Sequence, residues 1–258
     1  MRPLVTLISS HFYCVELAKS LLKYPFGLIS PFPIGYVLDY NMNFDQARFN
    51  MVEQQIRTWQ VLDTKVLDVF LKVKRELFTP TAFQDMAYSD TEIPLANGQC
   101  MLAPCIQARL IHDLHLTGLE KVLEVGTGSG YSTAVLANLS KRVISIECDA
   151  EIALSAKSNL QKASIGNAEV RVADGIQGSP AEGPFDAILL QGSVPEIPQQ
   201  LLDQLQINGR LIAVVGDEPM MQAQLVTRHG LQSFTHKNLW DTVIPRLEGV
   251  KEPSQFHF

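Results

Sequence analysis

The sequence predicts an α/β fold: a doubly wound, mostly parallel sheet with an N-terminal helical cap before it and a C-terminal antiparallel hairpin closing it. Three observations carry this. Short, nearly continuous apolar runs alternate with segments of helical spacing, as strands buried on both faces require. One run, Lys121-Val122-Leu123-Glu124-Val125, passes directly into Gly126-Thr127-Gly128-Ser129-Gly130 and then into a helix pattern. Past Gly216 the pattern changes to two strands joined at a tight turn.

The chain has 258 residues, enough for one full core, and its 46% hydrophobic and 19% charged content is that of a soluble globular enzyme. Residues 1–41 are sparsely charged and carry a proline cluster at Pro25, Pro31 and Pro33. His11 and Glu16 interrupt the apolar run, so this segment reads as neither a signal peptide nor a bilayer span. It is expected to be an appendage: a weakly ordered extension, or a mis-assigned start with Met42 as the alternative first residue. The catalytic domain is expected over 42–258, with the helical cap and substrate loop over 42–116 and the cofactor-binding sheet over 117–258.

Asp45 is placed to cap a first helix running to about Trp59, with Phe49, Val52 and Ile56 on one face. A second helix, from about Asp63, carries Val66, Leu67, Phe70, Leu71 and Val73, and Pro80 stops it. After a loop holding Pro94, Asn97 and Gly98, a third helix has Pro104 in its first turn, with Ile106, Leu110, Ile111 and Leu114 at helical spacing. Strands are expected at 122–125, 143–146, 168–173, 187–190 and 211–215, with helices at 131–140, 150–163 and about 198–206 between them. Crossovers of this kind are right-handed and leave ligands at the carboxyl ends of the strands. Strands at 222–228 and 233–243, turning at His229-Gly230, close the sheet.

Composition narrows the function. A net charge of −6 argues against nucleic-acid binding. Cys14, Cys100, Cys105 and Cys148 form no CxxC pair, so a disulfide framework and a zinc site are not expected, and a reducing cytoplasmic setting is. His112 and His115 share a helix face, but no further ligand stands at a suggestive spacing, so no metal is expected. Cys105 reads as a small buried filler, and Trp59 and Trp240 read as packing residues.

The glycine turn points to a nucleotide-like ligand. Its glycines follow the spacing G-x-G-x-G, so the third comes one position earlier than in a dinucleotide fingerprint. Glu147 ends the next strand, where a carboxylate can accept from both ribose hydroxyls and disfavours a 2′-phosphate. Asp174-Gly175 ends the third strand, where the acid can accept from an adenine amino group and the glycine lets the base pass. Glu124, inside the first strand, suits a positive group or an amine. S-adenosyl-L-methionine has both, and NAD offers neither there. The cofactor-binding set is therefore Glu124, Gly126, Thr127, Gly128, Ser129, Gly130, Glu147, Asp174 and Gly175, on a Rossmann-like S-adenosylmethionine methyltransferase fold.

The chain from Phe44 onward resembles the protein-L-isoaspartate O-methyltransferase family. The resemblance is carried by Met51-Val52-Glu53-Gln54-Gln55-Ile56-Arg57, Val66-Leu67, Val73-Lys74-Arg75-Glu76-Leu77-Phe78, Ala87-Tyr88-Ser89-Asp90 and Ile93-Pro94-Leu95. Asp174-Gly175, Phe185-Asp186-Ala187-Ile188, Pro195 and Gly209-Arg210-Leu211 then follow in family order. The resemblance implies methylation of the free carboxylate of an isoaspartyl residue in a peptide or protein, the first step in repairing a damaged peptide bond. A monomer is expected.

The sequence departs from the family at the acceptor side. Where the family has Thr-Ile-Ser before the third helix, this chain has Cys100-Met101-Leu102 ahead of Ala103-Pro104. Leu102 therefore replaces the serine commonly assigned to the active site, and it has no donor or acceptor. Gln191, in Leu190-Gln191-Gly192-Ser193-Val194-Pro195, stands where the family has small residues and faces the methyl-transfer pocket. Leu102 and Gln191 are the pocket candidates, and no catalytic residue is named. Arg246 falls near the family's substrate side, where it can attract a carboxylate. Two alternatives stay open: a pocket re-purposed for another small molecule, peptide or RNA, and a cofactor-binding protein without turnover.

Overall fold

A computed structural model of the chain describes residues 43–250; the expected appendage at 1–41 lies outside them. The first helix, α1 (Phe44–Asn50), is capped by Asn43 rather than Asp45. Asn43 has the non-helical backbone a cap needs, and its Oδ1 accepts from the Gln46 N–H at 3.1 Å. Asp45 lies inside the first turn and pairs with Arg48. The helix continues toward Trp59 as expected, but it widens to a π turn over Met51–Ile56 and tightens to a 3₁₀ turn over Arg57–Trp59. Asp63 caps α2 (Thr64–Lys72), accepting from the Lys65 N–H at 2.8 Å. Strand β1 (Ile93–Pro94) pairs antiparallel with β2 (Cys100–Met101), which fixes the intervening loop 95–99. Pro104 opens α3 (Pro104–Asp113).

The sheet follows. Its strands are β3 (Lys121–Val125), β4 (Arg142–Glu147), β5 (Ala168–Val172), β6 (Phe185–Val194), β7 (Leu205–Asp217), β8 (Met220–Arg228) and β9 (Phe234–Asp241). Between them run α4 (Tyr131–Leu139), α5 (Ala150–Lys162) and α6 (Gln199–Asp203). The order is β5-β4-β3-β6-β7-β8-β9; β3 to β7 are mutually parallel, and β8 and β9 are antiparallel. The chain winds outward from β3 through β4 to β5, then returns across β3 to β6. The carboxyl ends of β3 and β6 therefore flank the topological switch point, where open α/β sheets bind ligands.

Strands β6 and β7 are longer than the apolar runs at 187–190 and 211–215: β6 stays buried or half-buried from Phe185 to Val194 although Asp186, Gln191 and Ser193 interrupt its apolar pattern, whereas β7 carries exposed residues at 206–208 and at Asp217. Helix α6 is shorter than 198–206, since β7 already begins at Leu205. The β6–β7 register shifts between Leu189, opposite Ile212, and Ser193, opposite Val214. Leu190, Gln191 and Gly192 thus face Ala213 alone, a bulge of the kind that re-aims side chains.

Side chains alternate across β3. Val122 joins the cluster shared with the cap, α4 and α5, including Phe70, Phe78 and Tyr131. Leu123 and Val125 join the opposite cluster with Ile144, Ile146, Leu190, Leu201 and Leu202. Burying each such large side chain stabilises the fold by about 1.5–3 kcal/mol. Trp59 and Trp240 pack edge-on at 6.1 Å, and Trp240 Nε1–H donates to Asp113 Oδ2 at 2.8 Å, tying β9 to α3. Among the described residues no helix is long and apolar enough to cross a membrane.

Candidate active site

The turn after β3 is built as its glycines demand. A Cβ at Gly126, where φ is +91°, would lie 3.3 Å from Gln191 Cβ and 3.1 Å from Leu247 Cδ1, so only glycine lets these groups close over the turn. Gly130 serves packing. A Cβ there would lie 3.3 Å from the Ala156 carbonyl of α5, so the early third glycine is what lets α4 and α5 approach. Tyr131 turns the other way, its ring 6.1 Å from Phe70 and 5.7 Å from Phe78. Thr127 Oγ1 sits 2.6 Å from Ser145 Oγ and is buried, and the Ser129 carbonyl accepts from Asn159 Nδ2 at 3.1 Å.

The acidic residues divide. Glu147 is buried at the end of β4. Its Oε2 accepts from the Gly128 N–H at 2.9 Å and its Oε1 from the Asp149 N–H at 3.2 Å, so it pins the turn itself. Glu124 corrects the expectation of an acid facing a cation directly: it is fully buried. Thr133 from α4 and Ser145 from β4 cover it, donating to Oε2 at 2.5 and 2.7 Å, and Gln191 Nε2 donates to Oε1 at 3.2 Å. Burial pushes the Glu124 carboxyl up, and these donors only partly offset it. Asp174 is exposed and caps the following turn, accepting from the Ile176 N–H at 3.0 Å. Gly175 is glycine for a nearer reason than base passage: a Cβ there would lie 2.4 Å from Val125 Cγ1.

A cleft of about 360 Å³ opens at the switch point. Its floor is Gly126 and Gly128, one wall is loop 97–100 with Leu102, and the other is Gln191-Gly192 on the β6 bulge. Residues 245–250 cross it as a strap. The Ser193 N–H donates to the Pro245 carbonyl and the Leu247 N–H to the Ser193 carbonyl, both at 2.9 Å. Gln99 Nε2 donates to Glu248 Oε2 at 2.5 Å, and Asn97 Nδ2 donates to Asp149, latching the loop to the N-terminus of α5. Arg246 lines the cleft, but its charge is engaged: Nη2 pairs with Asp217 Oδ1 at 2.5 Å and Nη1 donates to the Gly216 carbonyl.

Beneath the cleft a second cavity of about 30 Å³ reaches in between Cys100, Leu102, Gln107, Tyr131, Ser132 and Gln191. Leu102 and Gln191, paired from the sequence, line both spaces. Asp174 and Gly175 line neither. Gln191 Nε2 also donates to Ser132, while Gln191 Oε1 is buried without a partner. An orphaned acceptor beside a glycine cradle fits a ligand carrying an ammonium group. Burial pushes the Cys100 thiol up to about 12, helped by Glu92, so it is no nucleophile at neutral pH. Cys105 is buried filler. His112 and His115 meet edge-on at 5.8 Å, and among the described residues no group of three His, Cys, Asp or Glu side chains can hold a metal. Sequence reasoning missed Ser145, Gln99, Leu247 and Glu248. Each reaches the site from a distant element, and no local pattern marks them.

The family model of protein-L-isoaspartate(D-aspartate) O-methyltransferase (PCMT) matches residues 46–245. Protein-L-isoaspartate O-methyltransferase 1 of Syntrophobacter fumaroxidans is 45% identical over 198 residues, 77% of this chain and 92% of that protein. The Geobacter metallireducens protein-L-isoaspartate O-methyltransferase is 41% identical over 208 residues, 81% of this chain and 96% of that one. A solved protein-L-isoaspartate O-methyltransferase shares the fold at a TM-score of 0.68 and 24% identity, covering 78% of this chain and 66% of its own. A Plasmodium falciparum protein assigned the same activity, solved with S-adenosyl-L-homocysteine, does so at a TM-score of 0.66 and 24% identity, covering 80% and 98%.

Proposed function

The chain belongs to the protein-L-isoaspartate(D-aspartate) O-methyltransferase family, and we propose that it moves a methyl group from S-adenosyl-L-methionine to the free carboxylate of an isoaspartyl residue in a peptide or protein. The observation that carries this reading is the cleft at the switch point, where the glycine turn, Leu102 and Gln191 meet within a family match that covers cap and sheet together. The cofactor belongs on the glycine turn, with Glu147 on the ribose side and the unpartnered Gln191 Oε1 accepting from its amine. Asp174 and Gly175 belong at the base. When bound, the cofactor supplies an electrophilic methyl on a sulfonium.

The residues of this chain then have positioning work only. An acceptor carboxylate, with an ordinary pKa near 4, is ionised at neutral pH, so no side chain has to remove a proton. Alignment and exclusion of water supply the rate. Leu102 offers an apolar wall on the acceptor side, and Leu247 on the strap closes the opposite one. Residues 42–116 form the acceptor side and 117–258 the cofactor side of one domain, acting as a monomer in the cytoplasm. Incubation with methyl-labelled cofactor and an isoaspartyl peptide is expected to give a base-labile labelled ester. Tight cofactor binding without any transfer overturns the assignment.

Leu102 favours a second reading, an acceptor pocket re-purposed for another nucleophile. The double change Leu102→Ser with Cys100→Thr separates the two. A rise in isoaspartyl methylation marks a pocket that merely lacks its hydroxyls, and no change favours a redesigned one. A protein that binds the cofactor without turnover shows calorimetric binding and no product with any acceptor.

A further inference from the structure

The small cavity has a buried cation behind it that this chemistry leaves unused. Arg75 is fully buried. Its Nη2 donates to the Leu102 carbonyl at 2.8 Å and its Nη1 to Gln107 Oε1 at 3.0 Å, and its guanidinium lies 4.8 Å from the centre of the Tyr131 ring. All three partners are uncharged. Neighbouring Arg48, by contrast, pairs with Asp45 and Glu76. Among the described residues no carboxylate is in ion-pair contact with Arg75; exposed Asp90 acts on it only at range. Burial pushes the guanidinium pKa down, yet arginine keeps its proton, so an uncompensated charge is held in the core.

Two further polar atoms there lack partners, Arg75 Nε and the Tyr131 hydroxyl. Leu102, Gln107 and Tyr131 all touch the guanidinium, and all three line the 30 Å³ cavity under the glycine turn, with Gln191 across from them. A buried charge without a counter-ion is destabilising unless something negative comes to it. The place where it lies, directly behind Leu102, is the place where the family's hydroxyl is missing.

We propose that Arg75 is a positioning residue for the methyl acceptor: its unpaired charge, one layer behind Leu102, selects an anionic acceptor and draws the carboxylate to the mouth of the small cavity. This rests on the acceptor reading given above. Arg75 acts through the Leu102 carbonyl, Gln107 and Tyr131, by field rather than by contact. The acceptor's charge is thereby recognised without any hydroxyl at position 102.

The test compares an isoaspartyl peptide with its neutral isoasparaginyl isostere, measuring the dissociation constant of each by calorimetry with S-adenosyl-L-homocysteine present. The wild-type protein is expected to prefer the charged peptide at least about tenfold. Gln107→Glu places a carboxylate against Nη1 and neutralises Arg75 without removing it. The preference is then expected to fall to within about twofold while S-adenosyl-L-homocysteine affinity holds and the melting temperature stays level or rises, since the buried charge gains a partner. Arg75→Met is expected to do the same where it folds, and Arg75→Lys to keep part of the preference. A purely structural Arg75 would weaken both peptides and the cofactor product alike. The proposal is overturned if the wild-type protein binds the two peptides equally or binds neither, or if folded Gln107→Glu keeps the full preference. Methyl transfer to the isoaspartyl peptide with a preference indifferent to Gln107→Glu counts against Arg75 alone. Selective binding of the charged peptide without transfer counts against the catalytic reading alone.

Discussion

Gly175 shows how little room the carboxyl end of β3 leaves. A methyl group there meets Val125 Cγ1 at 2.4 Å, inside any real contact, so Gly175→Ala must push the end of β3 or the loop after β5. The expected loss is about 1–3 kcal/mol in urea unfolding, and adding Val125→Ala is expected to return part of it; independent, additive losses would show that the clash is relieved elsewhere. Gln191 is the corresponding position on the β6 bulge. It supplies one of three donors to the buried Glu124 carboxylate. Gln191→Leu removes that donor and is expected to lower stability by about 1–3 kcal/mol and weaken cofactor binding about tenfold or more. Calorimetry with unchanged affinity would remove Gln191 from the cofactor site. Leu102 and Gln191 were legible as a pair because both break a family pattern at the ends of recognisable elements. The true setting of Glu124 was not legible, since Thr133 and Ser145 reach it from two other elements.

The strap and the loop opposite it decide access to the cleft. Gly192 is what lets the strap dock: a Cβ there would lie 2.8 Å from both the nitrogen and Cα of Leu247. Gly192→Ala is expected to lift residues 245–250 off β6 while leaving the sheet intact, because the strap is held to β6 by only two main-chain hydrogen bonds. Hydrogen exchange at the Leu247 amide is expected to accelerate at least tenfold, and the cofactor KM to rise, with the melting temperature within about 2 °C of wild type. An unchanged Leu247 amide would show that the strap yields without detaching. The parallel strands were readable from their apolar runs, and α3 from Pro104. The bulge at Gln191 was not, because a register shift is a property of two strands and leaves no mark on either one. Asn43 and Asp45 carry the same capping chemistry two residues apart, and only the backbone angles distinguish them.

Two glutamates flanking Lys121, Val122 and Leu123 give the fold opposing responses to pH. Glu120 gathers the segment after α3: its carboxylate accepts from the N–H groups of Thr117, Gly118 and Leu119 at 2.9–3.0 Å and from the Thr117 hydroxyl at 2.9 Å. Arg210 of β7 lies 3.5 Å away, and the Glu120 carbonyl receives the Lys141 N–H at 2.9 Å, so one residue joins the cap linker, β4 and β7. Burial works to raise this carboxyl, but the donors of Thr117 and Gly118 prevail and hold it below the ordinary range. A depressed value in the folded protein means stability that is fully present above the unfolded value, about 4.3, and lost as pH falls through the folded value. Glu124 is shifted the other way by burial, so its protonated form suits the fold and its ionisation weakens the fold as pH rises. Urea unfolding across pH 3 to 8 therefore separates them. Glu120→Gln is expected to be about 1.5–3 kcal/mol less stable than wild type at pH 7, with the gap closing as pH approaches 3. Glu124→Gln is expected to gain on wild type as pH rises through the same range. Parallel pH profiles for the two variants would mean that the donors around Glu120 do not hold its charge, and that the segment joining cap to sheet is fixed by packing alone.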